Sequence, residues 1–138
     1  MEPPAIDHSR AKHRLEWIWP LAMAALIVFA SSRSTVAGPQ FSNSDKVAHF
    51  GAYGLLATLV CRLRPGWKGA ILGLLCASAF GVSDEWHQSF VPGRSSDVFD
   101  WIADTLGATL AVGAYAGWPL YRRVLEWPIR GRRRIVEA

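Results

Sequence analysis

The chain has 138 residues, enough for one domain by length, and 51% of them are apolar while 19% are charged. A water-soluble domain of this size carries more charge, and here the apolar residues fall into four long runs that leave little polar face for solvent. The net charge of +4 is grouped at the ends of those runs, which argues against a nucleic-acid-binding face.

A basic segment over 1–14, with Arg10, Lys12 and Arg14, precedes the first apolar run, Leu15 to Ser32. Val28-Phe29-Ala30 before Ser31 has the look of a signal-peptide cleavage site, but Trp17, Trp19 and the length of the run favour a retained anchor. The second run, Val47 to Leu63, is opened by Asp45 and Lys46 and carries His49. Arg64-Pro65-Gly66 then reads as a tight turn that makes runs two and three an antiparallel hairpin. The third run spans Trp67 to Ser83 and the fourth Phe99 to Leu120, followed by a basic tail over 121–138. Each run is about 17 to 22 residues long, the length a helix needs to cross the hydrocarbon of a bilayer. The expected fold is therefore all-α, a polytopic membrane domain of four transmembrane helices over 15–120.

Twelve of the fifteen Lys and Arg residues lie before run one, flanking the turn between runs two and three, or after run four, whereas Arg33, Lys46 and Arg94 lie on the other side. By the positive-inside rule both termini are expected to be cytoplasmic, in a multi-pass protein of the cell membrane. Gly69, Gly73, Ala77 and Gly81 recur every fourth residue in run three, a stripe along which a neighbouring backbone can approach closely. Run four repeats the device with Ala103, Gly107 and Ala111, and again with Gly113 and Gly117. Trp67, Trp101, Trp118 and Trp127 are expected in the interfacial belts, and Cys61 and Cys76 as small apolar fillers.

The polar residues inside these runs are the candidate site, because ionisable groups in an apolar helix are costly unless they serve a purpose. Lys46, His49 and Tyr53 share one face of helix two at spacings i, i+3 and i+7, and Asp97, Asp100 and Asp104 repeat that spacing on helix four. Glu85 and Gln88 lie where run three turns polar, with Arg94 in the loop beyond. All of them fall within about two turns of the outward surface, so a single polar pocket is expected. Asp45 and Asp97 also suit the ordinary role of acids at helix starts, whereas Asp104 lies too deep to cap its helix and requires a partner such as Lys46, His49 or Arg94.

The series Asp45-Lys46-x-x-His49-Phe50-x-x-Tyr53, Glu85-x-x-Gln88, Arg94-x-x-Asp97-x-x-Asp100 and Asp104-x-x-Gly107 resembles the signature of the VanZ-like family of small bacterial membrane proteins, over about Asp45 to Ala111. Family members often carry Asn where this chain has Asp104. The family takes its name from a member that confers low-level resistance to the glycopeptide teicoplanin, so the resemblance implies a cell-envelope role, and glycopeptides come into view as ligands.

Three functions fit these residues. The first is binding or handling of an envelope lipid intermediate or amphiphile, in which Lys46 and Arg94 hold a phosphate or carboxylate, other pocket residues complete the site, and the helices receive the tail. The second is a membrane hydrolase or transferase with His49 as general base and Glu85 or Asp100 as acid or metal ligand. The third is a structural partner in assembly. No spacing such as H-x-x-x-H or E-x-x-H demands a metal, so no metal and no cofactor are expected; membrane lipids are the expected partners and nucleic acid is not.

Overall fold

A computed structural model describes residues 16–33, 44–64 and 66–126. The basic arms at 1–14 and 127–138, Trp127 and most of the connection after Arg33 lie outside the described residues. Four helices account for the rest: α1 (Ile18–Ser31), α2 (Ser44–Leu63), α3 (Trp67–Gln88) and α4 (Val98–Gly117), followed by a short helical segment over 119–126. No strand occurs among the described residues, as the all-α expectation requires.

Local chemistry sets the helix ends. Pro20 is tolerated in the first turn of α1, where its missing N–H has no intrahelical acceptor to lose. α2 carries Asp45 in its first turn and Arg62 in its last, both with the sign that complements the helix dipole. Gly66, at φ 95°, turns the chain from α2 into α3 in a conformation that L side chains disfavour. α4 starts at an authentic cap, with Asp97 Oδ1 accepting from the Phe99 N–H at 2.9 Å. It ends where Trp118 leaves helical geometry.

α2 and α4 share the most extensive contact, α3 packs on both, and α1 lies more lightly against α2 and α3. Glycine makes this proximity possible. A Cβ on Gly107 would stand 2.8 Å from the Phe50 carbonyl carbon and 2.9 Å from its Cα, and one on Gly73 would collide with the Ala57 carbonyl. The α3 stripe of Gly69, Gly73, Ala77 and Gly81 is buried along its whole length, as its spacing implies. On α4 only the Gly107 portion behaves that way. Gly113 and Gly117 have no neighbour where a side chain would project, so that second stripe makes no helix contact.

The interior is built from small and medium residues: Tyr53, Leu56, Ala57, Cys61, Ala77, Ala108, Val112 and Tyr115. Cys61 is buried and Cys76 exposed, and neither is in a disulfide. Trp101 departs from the belt expectation, since its indole N–H points at the Ser78 carbonyl oxygen and hydroxyl (3.2 and 3.3 Å) and ties α4 to α3. Trp67 and Trp118 are exposed.

No helix among the described residues is long and apolar enough to cross a membrane. Two features separate the helices from the apolar runs. α1 has 14 residues, fewer than its run, and α2, α3 and α4 incorporate the acids and bases at their polar ends, with α3 continuing past Ser83 to Gln88. Burial is nonetheless inverted relative to a water-soluble protein. Asp84, Glu85, Gln88, Asp100 and Asp104 are buried, while Trp86 and Phe90 are 70% and 69% exposed and large apolar side chains cover the outside of every helix.

Candidate functional site

Apart from Thr58, the buried polar residues collect at one end of the bundle, at the end of α1, the end of α3 and the start of α4, where the half-buried start of α2 meets them. Two long-range links join α2 to α4. Lys46 Nζ donates to Asp97 Oδ2 at 2.7 Å and to Asp100 Oδ1 at 2.8 Å. One turn deeper, His49 Nδ1 meets Asp104 Oδ1 at 3.0 Å, and the imidazole stacks on Tyr53 with ring centroids 5.9 Å apart. Asp97 thus combines the two roles open to it, capping α4 with one oxygen and holding Lys46 with the other. Asp45, at 3.9 Å from Lys46 and half exposed, stays at the margin.

α3 enters through consecutive acids. Glu85 Oε2 accepts from the Asp97 N–H at 2.7 Å, which fastens the end of α3 to the start of α4. Asp84 Oδ2 accepts from Ser31 Oγ at 2.8 Å and from Gln88 Nε2 at 3.0 Å, which ties in α1. Asp84 and Ser31 are absent from the sequence-derived set. The apolar run stops at Ser83 and hides that α3 continues helically to Gln88, so the cue for Asp84 was its i, i+4 relation to Gln88. Nearby, Ser32 Oγ and His87 Nε2 lie 3.0 Å apart and make a second α1–α3 contact.

At the rim, protonation follows these contacts. The two carboxylates around Lys46 hold its ammonium well above the ordinary lysine range, and the Lys46 hydrogen bond holds the Asp97 carboxyl below its ordinary value. Burial pushes Glu85 up, against the Asp97 N–H, which pulls it down. The stabilisation from Asp97 is complete above its ordinary pKa of 3.8 and disappears as pH falls through its lowered value. That from Lys46 is complete below 10.5 and disappears only as pH rises through its raised value. The melting-temperature difference between wild type and Lys46→Met should therefore be constant from about pH 5 to 10 and shrink below about pH 3.8. A difference that grows on acidification would rule out the bridge as its source.

The site is rich in acceptors and poor in protons. Glu85 Oε1 and Asp104 Oδ2 are buried without a hydrogen-bond partner. The buried Tyr53 hydroxyl belongs to the same cluster, with Asp84 facing it as an acceptor and Asp104 and Glu85 acting on it electrostatically. His49, Glu85 and Asp104 each offer one ligand atom, and the three atoms lie within 4.8 Å of one another. Lys46 is committed to two carboxylates and is not free to hold an anion. Arg94, in the α3–α4 loop just after Gly93 (φ 81°), forms no hydrogen bond or ion pair with Asp104 and has a buried Nε without a partner. Of the residues singled out from sequence, Lys46, His49, Tyr53, Glu85, Gln88, Asp97, Asp100 and Asp104 converge at this end, and of the partners open to Asp104 it is His49 that pairs with it.

Comparison with curated proteins and with solved structures gives no match. The family model described as VanZ/LLP1 matches residues 5–121, which takes in all four helices and every residue of the polar cluster. With its ordered motifs assembled at one end of the bundle, this chain belongs to the VanZ/LLP1 family.

Proposed function

We propose that the chain is a multi-pass membrane protein whose acid-rich end, set at the outer leaflet, binds the polar head of an envelope lipid intermediate or other amphiphile. The observation that carries this reading is the inversion of burial: five polar or charged side chains of the cluster inside, large apolar side chains outside. In water that surface would far exceed the apolar patch a soluble monomer tolerates. In lipid it is the expected exterior, and each ionisable group then turns inward to a partner. The charges within α2 to α4 sit at the helix ends or in this cluster, so a membrane meets them at its interface or not at all. The 12-to-3 bias of basic residues supports the orientation. Within the site, Arg94 is the side chain suited to an anionic head group, because its Nε lacks a partner and Lys46 is neutralised. The exposed apolar faces of α3 and α4 would receive the tail.

The His49–Asp104 contact favours a second reading, a hydrolase or transferase in which Asp104 orients His49 as a general base. Two measurements separate the possibilities. Single cysteines at Ser89 and Lys68, both exposed and at opposite ends of α3, are introduced after Cys61 and Cys76 are replaced. An impermeant thiol reagent applied to intact cells should label the first and not the second, and the reverse pattern would invert the orientation. Native mass spectrometry of the purified protein should then show a co-purifying amphiphile that Arg94→Ala and Glu85→Gln lose. Retention of the same lipids by both variants would remove the binding reading.

A further inference from the structure

Within this cluster, we infer that His49, Glu85 and Asp104 form a binding site for one divalent metal ion of the zinc or manganese class, shared by α2, α3 and α4. The inference stands on geometry and holds whether or not an amphiphile binds beside it. One ligand atom from each residue lies within 4.8 Å of the other two. Ligand atoms around a four-coordinate zinc stand roughly 3.4 Å apart for bonds of about 2.0–2.1 Å. The widest pair has therefore to close by no more than about 1.4 Å, a movement that side-chain rotation supplies.

The independent observation is the unmet acceptor capacity. Glu85 and Asp104 are 6% and 0% exposed, and each keeps one carboxylate oxygen, Oε1 and Oδ2, without a hydrogen-bond partner. A buried carboxylate oxygen left unpaired is costly, and such groups call for an ion or an ordered water. One water can give each of these two oxygens a proton but brings no charge against their mutual repulsion. A dication satisfies several oxygens at once and cancels their mutual repulsion. Among the described residues no lysine or arginine pairs with Glu85 or Asp104, since Lys46 is held 2.7 and 2.8 Å from Asp97 and Asp100, and the His49 imidazole meets one Asp104 oxygen only. That engagement is also why Asp100 is not among the ligands. The donor set of one imidazole with carboxylates suits zinc, manganese or iron better than calcium or magnesium, which take oxygen ligands almost exclusively. Three ligands from three helices leave open coordination positions, the mark of a site that meets a further molecule.

The test uses the full chain in detergent, stripped with a chelator and titrated with zinc or manganese chloride by calorimetry. Wild type should bind one ion per chain, and His49→Ala, Glu85→Gln and Asp104→Asn should each weaken binding at least about tenfold. Asp45→Asn, an acid outside the cluster, should leave it unchanged. Because a variant in the cluster can fail to fold, a second measurement avoids changing the ligands at all. In a chain carrying His8→Gln, His13→Gln and His87→Gln, zinc K-edge absorption should show one imidazole nitrogen, necessarily from His49, together with carboxylate oxygens. Absence of saturable binding up to about 1 mM, binding undiminished in all three folded variants, or a shell without imidazole would each overturn the assignment.

Discussion

Gly107→Leu should sharply lower the melting point of the purified protein, while Gly113→Leu, the same change six residues along the same helix, should be tolerated. At Gly107 even a Cβ runs into the carbonyl group and Cα of Phe50 on α2, atoms of a helix backbone that cannot rotate aside. Overpacking a core costs about 1–3 kcal/mol when side chains can adjust. Here two helices must separate, so the loss should exceed about 3 kcal/mol, against a gain in helix propensity of no more than about 1 kcal/mol. The consequence reaches the polar end directly, because α2 and α4 carry both long-range links, Lys46 to Asp97 and Asp100, and His49 to Asp104. At Gly113 nothing lies within 4 Å of a Cβ, and only the propensity gain remains. Melting of the purified proteins followed by tryptophan fluorescence is the measurement, and similar midpoints for the two variants would mean that the α2–α4 contact is not the close approach described here.

His49→Ala should be the most damaging single change in the polar cluster. It strips the hydrogen bond from Asp104, which has no solvent exposure and whose other oxygen has no partner. Leaving a buried charge uncompensated costs on the order of 3–5 kcal/mol. Adding Asp104→Asn to His49→Ala removes the stranded charge and should restore most of the loss, giving a coupling of about 1–3 kcal/mol in the double-mutant cycle. Asp104→Asn alone should be close to neutral in metal-free protein or raise the melting point, since a group kept for function is often a net cost to the fold. Equal, additive losses for both single changes would show that the two side chains do not act as a pair.

What the sequence determined by itself is what local chemistry determines. Four apolar runs placed the four helices, Arg64-Pro65-Gly66 placed the turn between α2 and α3, and the four-residue recurrence from Gly69 to Gly81 identified the face of α3 that packs. Each depends on groups three or four residues apart, joined by one helix. The family was legible for a related reason, since its ordered motifs lie within short segments of chain.

The tertiary structure decided the pairing. Lys46, His49 and Arg94 were all plausible partners for Asp104, and only the rotation and register of α2 against α4 bring His49 to it across 55 residues of chain while Lys46 goes to Asp97 and Asp100. The same packing explains why Asp84 entered the cluster from a position the apolar run did not flag, with α1 donating Ser31 to it. It also explains why Gly113 and Gly117, spaced like the glycines that pack, face no neighbour. A helix periodicity states which residues share a face; it cannot state which face meets which neighbour. That choice is made by the total of close contacts between helices, here by Gly107 against Phe50 and Gly73 against Ala57, and it is this choice that gathers two carboxylates and one imidazole into a single site.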